Sequence, residues 1–152
     1  MYLLSKEHAL LYRKFKKCVD EKSIERMDKK LYHFFIYHCG FIAHYNIHGF
    51  RDEYSDMRFL EWFEVFANPN WMFFLPHGDA YHELKKACVE YAKTKQHEVY
   101  TYFERLNRNR KMKLLQSLSN ELGISLGDRS NKESTPSLTF YEEEDGQLSL
   151  FV

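Results

Sequence analysis

Asp79-Ala80-Tyr81-His82-Glu83-Leu84-Lys85-Lys86-Ala87-Cys88-Val89-Glu90-Tyr91-Ala92-Lys93-Thr94-Lys95-Gln96-His97-Glu98-Val99-Tyr100-Thr101-Tyr102-Phe103-Glu104-Arg105-Leu106 decides the fold. Tyr81, Leu84, Cys88, Tyr91, Val99, Tyr102 and Leu106 recur at three- and four-residue spacing. That is the period of an α-helix with one apolar stripe. Asp79 suits its start, because a carboxylate there can accept from the first free backbone N–H groups. So long a helix needs partners along its stripe.

The flanking sequence supplies them. Upstream, Ser55 predicts a cap for a helix from Asp56 to about Ala67, ended by Asn68-Pro69-Asn70. Trp71-Met72-Phe73-Phe74-Leu75-Pro76 is too apolar for a solvated loop and is expected to lie across the core. Ser23 opens an earlier helix, whose run Leu31-Tyr32-His33-Phe34-Phe35-Ile36-Tyr37 continues through Ile47 and stops at Gly49. Apolar on most sides, that helix should be central and buried. Ser5 caps a first helix to about Val19, with Tyr12, Phe15 and Val19 on one face. Downstream, a last helix carries Leu115, Leu118 and Leu122 and ends at Gly123. Strand signals and tandem repeats are absent. The expected fold is all-α: a bundle of four to five helices over residues 1–122, then a flexible acidic linker at 123–146 and a terminal peptide at 147–152.

Composition agrees with that division. Of the 26 aromatic residues, 23 precede the linker, ample material for a compact core. The formal charge is zero but unevenly spread: residues 1–120 carry 20 Lys and Arg against 15 Asp and Glu, and residues 121–152 carry 2 against 7. A mildly basic body with an acidic tail suits a protein near DNA without requiring one. Met1-Tyr2-Leu3-Leu4 is followed at once by Lys6, Glu7 and His8, which is not a secretory pattern, and no apolar run approaches membrane-spanning length. Cys18, Cys39 and Cys88 are odd in number and lack CxxC spacing, so buried, reduced thiols are expected. From these features a cytoplasmic, nucleoid-associated protein with no membrane partner is expected.

Histidine forms one candidate constellation. His33, Tyr37, Gly40, His44 and His48 would share one stripe of the second helix, and His44 and His48 stand at the four-residue spacing that lets two imidazoles hold one metal. Further ligands are available in His77, Asp79, His82 and Glu83. Zinc or iron bound there would activate water for hydrolysis. Against this, the chain has no HExxH and no pair of Glu-x-x-His motifs. Histidines satisfied within an aromatic core are therefore the favoured reading, with no cofactor expected. A metal-dependent hydrolase or nuclease is the alternative.

The basic segment Arg105-Leu106-Asn107-Arg108-Asn109-Arg110-Lys111-Met112-Lys113 is the second candidate. Arg105, Arg108, Arg110, Lys111 and Lys113 can bind a phosphate backbone, and Arg13-Lys14-Phe15-Lys16-Lys17 can extend the patch. Tyr100, Tyr102 and Phe103 stand near enough to stack on single-stranded bases, although their spacing suits core packing better.

The terminal residues are the third. Gln147-Leu148-Ser149-Leu150-Phe151 resembles the short peptide with which bacterial polymerases, mismatch-repair proteins and replication regulators dock on the DNA polymerase sliding clamp. That peptide has the usual form Gln-Leu-(Ser or Asp)-Leu-Phe, and all five positions match. A peptide this short must gain affinity from a few anchors in a preformed pocket. Leu150 and Phe151 suit that, each worth roughly 1.5–3 kcal/mol on full burial. Leu148 adds a smaller contact, and Gln147 offers both amide donors and an acceptor to a polar rim. The resemblance implies that Gln147 and the Leu150–Phe151 pair matter most and that Ser149 is the tolerant position. The alternative is a C-terminal strand added to a sheet. The Ser/Thr/Asn-rich run from Ser130 and the acidic block Glu142-Glu143-Glu144-Asp145 before it favour an accessible peptide on a tether. The expected function is that of a replication or repair accessory protein recruited to the bacterial clamp, with weak, non-specific DNA binding by the body. A phage or mobile-element origin would suit it. The rival is a clamp-tethered metal-dependent hydrolase on the histidine stripe.

Overall fold

The computed structural model describes residues 2–41, 46–74, 78–125, 140–142 and 148–150. Five α-helices account for most of them: α1 Lys6–Glu21, α2 Lys29–His38, α3 Ile47–Glu53, α4 Phe59–Ala67 and α5 His82–Leu122. The all-α class and the helix number agree with the sequence. Two short strands, β1 Phe140–Glu142 and β2 Leu148–Leu150, pair antiparallel, the arrangement the sequence offers as the alternative to a free terminal peptide. The chain divides into two compact units, Met1–Lys111 and Met112–Val152.

The first helix starts where expected. Ser5 Oγ accepts from the His8 backbone N–H at 3.1 Å, and Lys22 ends the helix in the left-handed region at φ 54°. The second helix differs from expectation at both ends. Ser23 Oγ accepts from the Glu25 N–H within a turn, whereas the cap of α2 is Asp28, which accepts from the Leu31 N–H at 3.0 Å. The run to Ile47 is not continuous: α2 closes at His38, and Gly40 takes a φ of +74° that breaks the ladder. A separate α3 then begins behind Asn46, whose side chain accepts from the Gly49 N–H at 2.9 Å, so Gly49 lies inside a helix instead of ending one. Ser55 likewise caps nothing with its side chain; its hydroxyl donates to the Asp52 carbonyl, and a 3-10 turn at Asp56–Arg58 leads into α4. Downstream, one continuous α5 stands where two helices were expected. It ends at Gly123, which takes φ +64°.

All five helices feed one aromatic core in the first unit. Phe15 of α1 meets Trp62 and Phe66 of α4 at ring separations of 5.6 and 4.7 Å. Phe35 of α2 packs on Phe50 of α3 and on Trp62 and Phe66. Phe59 of α4 stacks on Phe103 of α5 at 5.6 Å. Fully burying one such ring contributes about 1.5–3 kcal/mol, with a further increment for offset and edge geometry. The segment from Trp71 divides: Phe73 is buried in the core as expected, whereas Trp71 and Met72 are exposed; Leu75 and Pro76 lie outside the described residues. No described helix is long and apolar enough to cross a membrane. Cys18, Cys39 and Cys88 are free and buried. Burial pushes the Cys18 thiol up to about 12 and the other two well above their ordinary value, which leaves them unreactive.

Candidate functional site

The basic segment lies on α5, and all five of its cations are exposed. Helical geometry separates them. Arg105, Arg108 and Lys111 follow one another at three-residue spacing, so they form a single stripe. No carboxylate pairs with any of these three among the described residues. Arg110 points elsewhere: its guanidinium holds both oxygens of Asp56 at 2.5 and 2.6 Å. Asp56 is presented by the 3-10 turn in a left-handed conformation at φ 56°, which Asp tolerates better than most residues. Arg110 is thus already engaged. Lys113 falls in the second unit.

Beside the stripe is a cleft of about 370 Å³ lined by Lys22, His97, Glu98, Thr101, Tyr102 and Arg105. Lys22 reaches it because the left-handed turn after α1 directs its chain toward α5. Its ammonium lies 5.2 Å from the Tyr102 ring centroid and 2.9 Å from Glu98 Oε1. Lys95 binds the other oxygen of Glu98 at 2.9 Å. These hydrogen bonds from Lys22 and Lys95 hold the Glu98 carboxyl down at about 2, so it is ionised at neutral pH. Of the three aromatics that sequence places here, only Tyr102 is open, at 45% exposure. Phe103 is core, and the Tyr100 hydroxyl donates to Glu64, with Gln96 and Asn68 beside it.

Among the described residues the histidine stripe is not formed: His33 is on α2 and His48 on the separate helix α3. His44 and His77 lie outside the described residues. The His33 ring packs near Tyr32 and Tyr37, and that of His82 packs near Phe74. Among the described residues no group of three or more His, Cys, Asp or Glu side chains could hold a metal ion.

The structure brings together a different set, centred on His38. Its Nδ1 is 3.5 Å from Asp79 Oδ2, and its ring stacks on Tyr81 at 3.7 Å. The same carboxylate oxygen lies 3.3 Å from the ammonium of Lys85, which is 0% exposed and also donates to the Phe73 carbonyl at 3.2 Å. Desolvation works against ionised Asp79, but it is outweighed. The Tyr81 N–H, the Lys85 ammonium and His38 together hold the carboxyl below its ordinary value. The network ties the end of α2 to the start of α5. Its sequence signal is Lys85 itself, a lysine in register with Cys88 and Ala92 on the buried stripe.

In the tail, Phe140 pairs with Leu150, Tyr141 with Ser149 and Glu142 with Leu148. Gln147 and Phe151 lie outside the described residues. Comparison of the chain with protein families, with curated proteins and with solved structures finds no match.

Proposed function

We propose that this chain is a replication or repair accessory protein that docks on the bacterial DNA polymerase sliding clamp through Gln147-Leu148-Ser149-Leu150-Phe151. The observation that carries the proposal is the match at all five positions of the motif. An extended backbone is the form in which such a peptide lies in a groove, and Leu148–Leu150 is a strand. Its pairing with Phe140–Glu142 spans three residues, and an isolated two-stranded hairpin is marginal in water. Releasing the peptide to a clamp pocket therefore costs little. The body acts as a binding or regulatory module that contributes weak nucleic-acid contact through Arg105, Arg108 and Lys111.

The test is direct. Purified bacterial clamp should bind the full chain and a peptide of residues 142–152. Deleting Gln147 to Val152 should abolish that binding while the melting temperature stays put, because the aromatic core lies elsewhere. Phe151→Ala should weaken binding by roughly 2–3 kcal/mol, a factor of 30 or more. Undiminished clamp binding by the truncated chain would rule the proposal out.

A further inference from the structure

We infer that the cleft beside α5 takes single-stranded nucleic acid, with one base stacked on Tyr102 and the strand's phosphates running along Arg105, Arg108 and Lys111. This rests on the reading that the body contacts nucleic acid, and it names the form recognised.

Three features favour a single strand over a duplex. The first is Tyr102. Its ring is nearly half open in a cleft of about 370 Å³, a size suited to a small planar group. Bases inside a duplex have both faces covered by their neighbours, so an exposed ring in a cleft can stack only on a base that has left the helix. The neighbouring Lys22 ammonium adds a cation at 5.2 Å from the ring. The second feature is the shape of the positive surface. At a rise of 1.5 Å and a turn of about 100° per residue, Arg105 to Lys111 climbs roughly 9 Å in one slanting row that turns about 120° round α5. That is a track for one backbone, and the fourth cation that would widen it, Arg110, is held by Asp56.

The third is Glu98. Ionised and fixed between Lys22 and Lys95, it places a carboxylate inside the cleft. Each of its oxygens accepts from an ammonium group and keeps a lone pair that can accept from the amino edge of a base. The cleft and the stripe therefore sort the ligand: base inward at Tyr102, phosphates outward on the arginines.

The experiment uses the full chain, titrated at low salt against a fluorescent single strand of mixed sequence, about 12 nucleotides long to exceed one binding site, and against the same sequence as duplex. The single strand should bind at least tenfold more tightly. Tyr102→Leu should weaken single-strand binding by roughly five- to hundredfold, the range expected when one base no longer has a ring to stack on. It should leave duplex binding unchanged, and Tyr102→Trp should restore the single-strand affinity. Replacing Arg105, Arg108 and Lys111 together with alanine should lower affinity and flatten the dependence of log K on log salt by about two units, at roughly 0.7 for each phosphate no longer neutralised. Circular dichroism melts show whether each variant is folded. Equal or tighter duplex binding, or no effect of Tyr102→Leu, would overturn the single-strand inference while leaving nucleic-acid contact by the body intact. No binding to either form at tens of micromolar would remove both.

Discussion

Asp79→Asn should destabilise the body far more than its small change in shape suggests. Asn keeps the oxygen that accepts from the Tyr81 N–H at 3.2 Å and nearly keeps the volume. What it removes is the charge facing Lys85, whose ammonium is 0% exposed and would be left with neutral acceptors only. Breaking a buried ion pair from one side typically costs about 3–5 kcal/mol. The Asp79 side chain is 14% exposed and the Phe73 carbonyl stays in place, so the loss should fall just below that range. About 2–3 kcal/mol corresponds to a fall in Tm of roughly 8–15 °C for a domain near 110 residues. Lys85→Met fills the same space without charge and should cost about 1 kcal/mol or less. The double variant should recover most of the Asp79→Asn loss. Urea and thermal unfolding of the four proteins at pH 7, followed by circular dichroism, measures the cycle. Equal costs for the two single variants, adding in the double, would refute the dependence of Lys85 on this carboxylate. The pH profile gives an independent reading. Asp79 is depressed in the folded protein, so its contribution is complete above the unfolded value of about 3.9 and is lost as pH falls through the lower folded value. That acid limb should flatten in Asp79→Asn.

Phe35→Ala should cost about 3–5 kcal/mol in urea unfolding, because its ring touches those of Phe41, Phe50, Trp62 and Phe66 at the centre of the core. A loss under about 1.5 kcal/mol would mean the core collapses to fill the space. Chelator should leave Tm unchanged, and elemental analysis of protein purified without added metal should find no stoichiometric zinc, iron or manganese. One metal per chain, absent from His44→Ala or His48→Ala, would instead favour the hydrolase alternative. Affinity for DNA threaded through the clamp should exceed affinity for bare DNA by well over tenfold, as tethering raises the local concentration. Equal affinities in a sedimentation assay would show that tail and body never engage together.

Capping and period make the outer helices legible. Ser5, Asn68 and Gly123 mark ends that the backbone respects, and the stripe from Leu84 to Phe103 gives α5 its phase. The break between α2 and α3 is hidden for the opposite reason. The run from Leu31 to Tyr37 is apolar on most sides, so it carries little phase and gives no warning that Gly40 turns the chain. The candidate site divides along the same line. Exposure of the basic residues follows from charge, but the partner of Arg110 lies 54 residues away and only the fold brings Asp56 to it. Likewise, nothing local links Lys22 to Glu98 or His38 to Asp79; both pairings depend on how α1 and α2 pack against α5. Tyr102 is one of three equivalent aromatics in sequence, and only burial of Phe103 and the hydrogen bonds of Tyr100 leave it alone at the surface.

The two proposed contacts are weak in complementary ways. Burial of Leu150 and Phe151 contributes roughly 3–6 kcal/mol, which before ordering costs would support no better than millimolar to tens-of-micromolar affinity from those anchors alone. Three surface cations and one stacked base are similarly modest, and the ionic part fades with salt. Neither would hold the chain at a replication site unaided. Joined by a tether of the composition found at 123–146, with an expected reach of roughly 25–30 Å, each makes the other nearly intramolecular. The acidic block Glu142-Glu143-Glu144-Asp145 would then have a physical role beside the motif: by repelling phosphate it would keep the tail for the clamp and leave nucleic acid to the body. Occupancy would accordingly require a clamp and an exposed single strand within reach of each other, a coincidence that neither contact could detect separately.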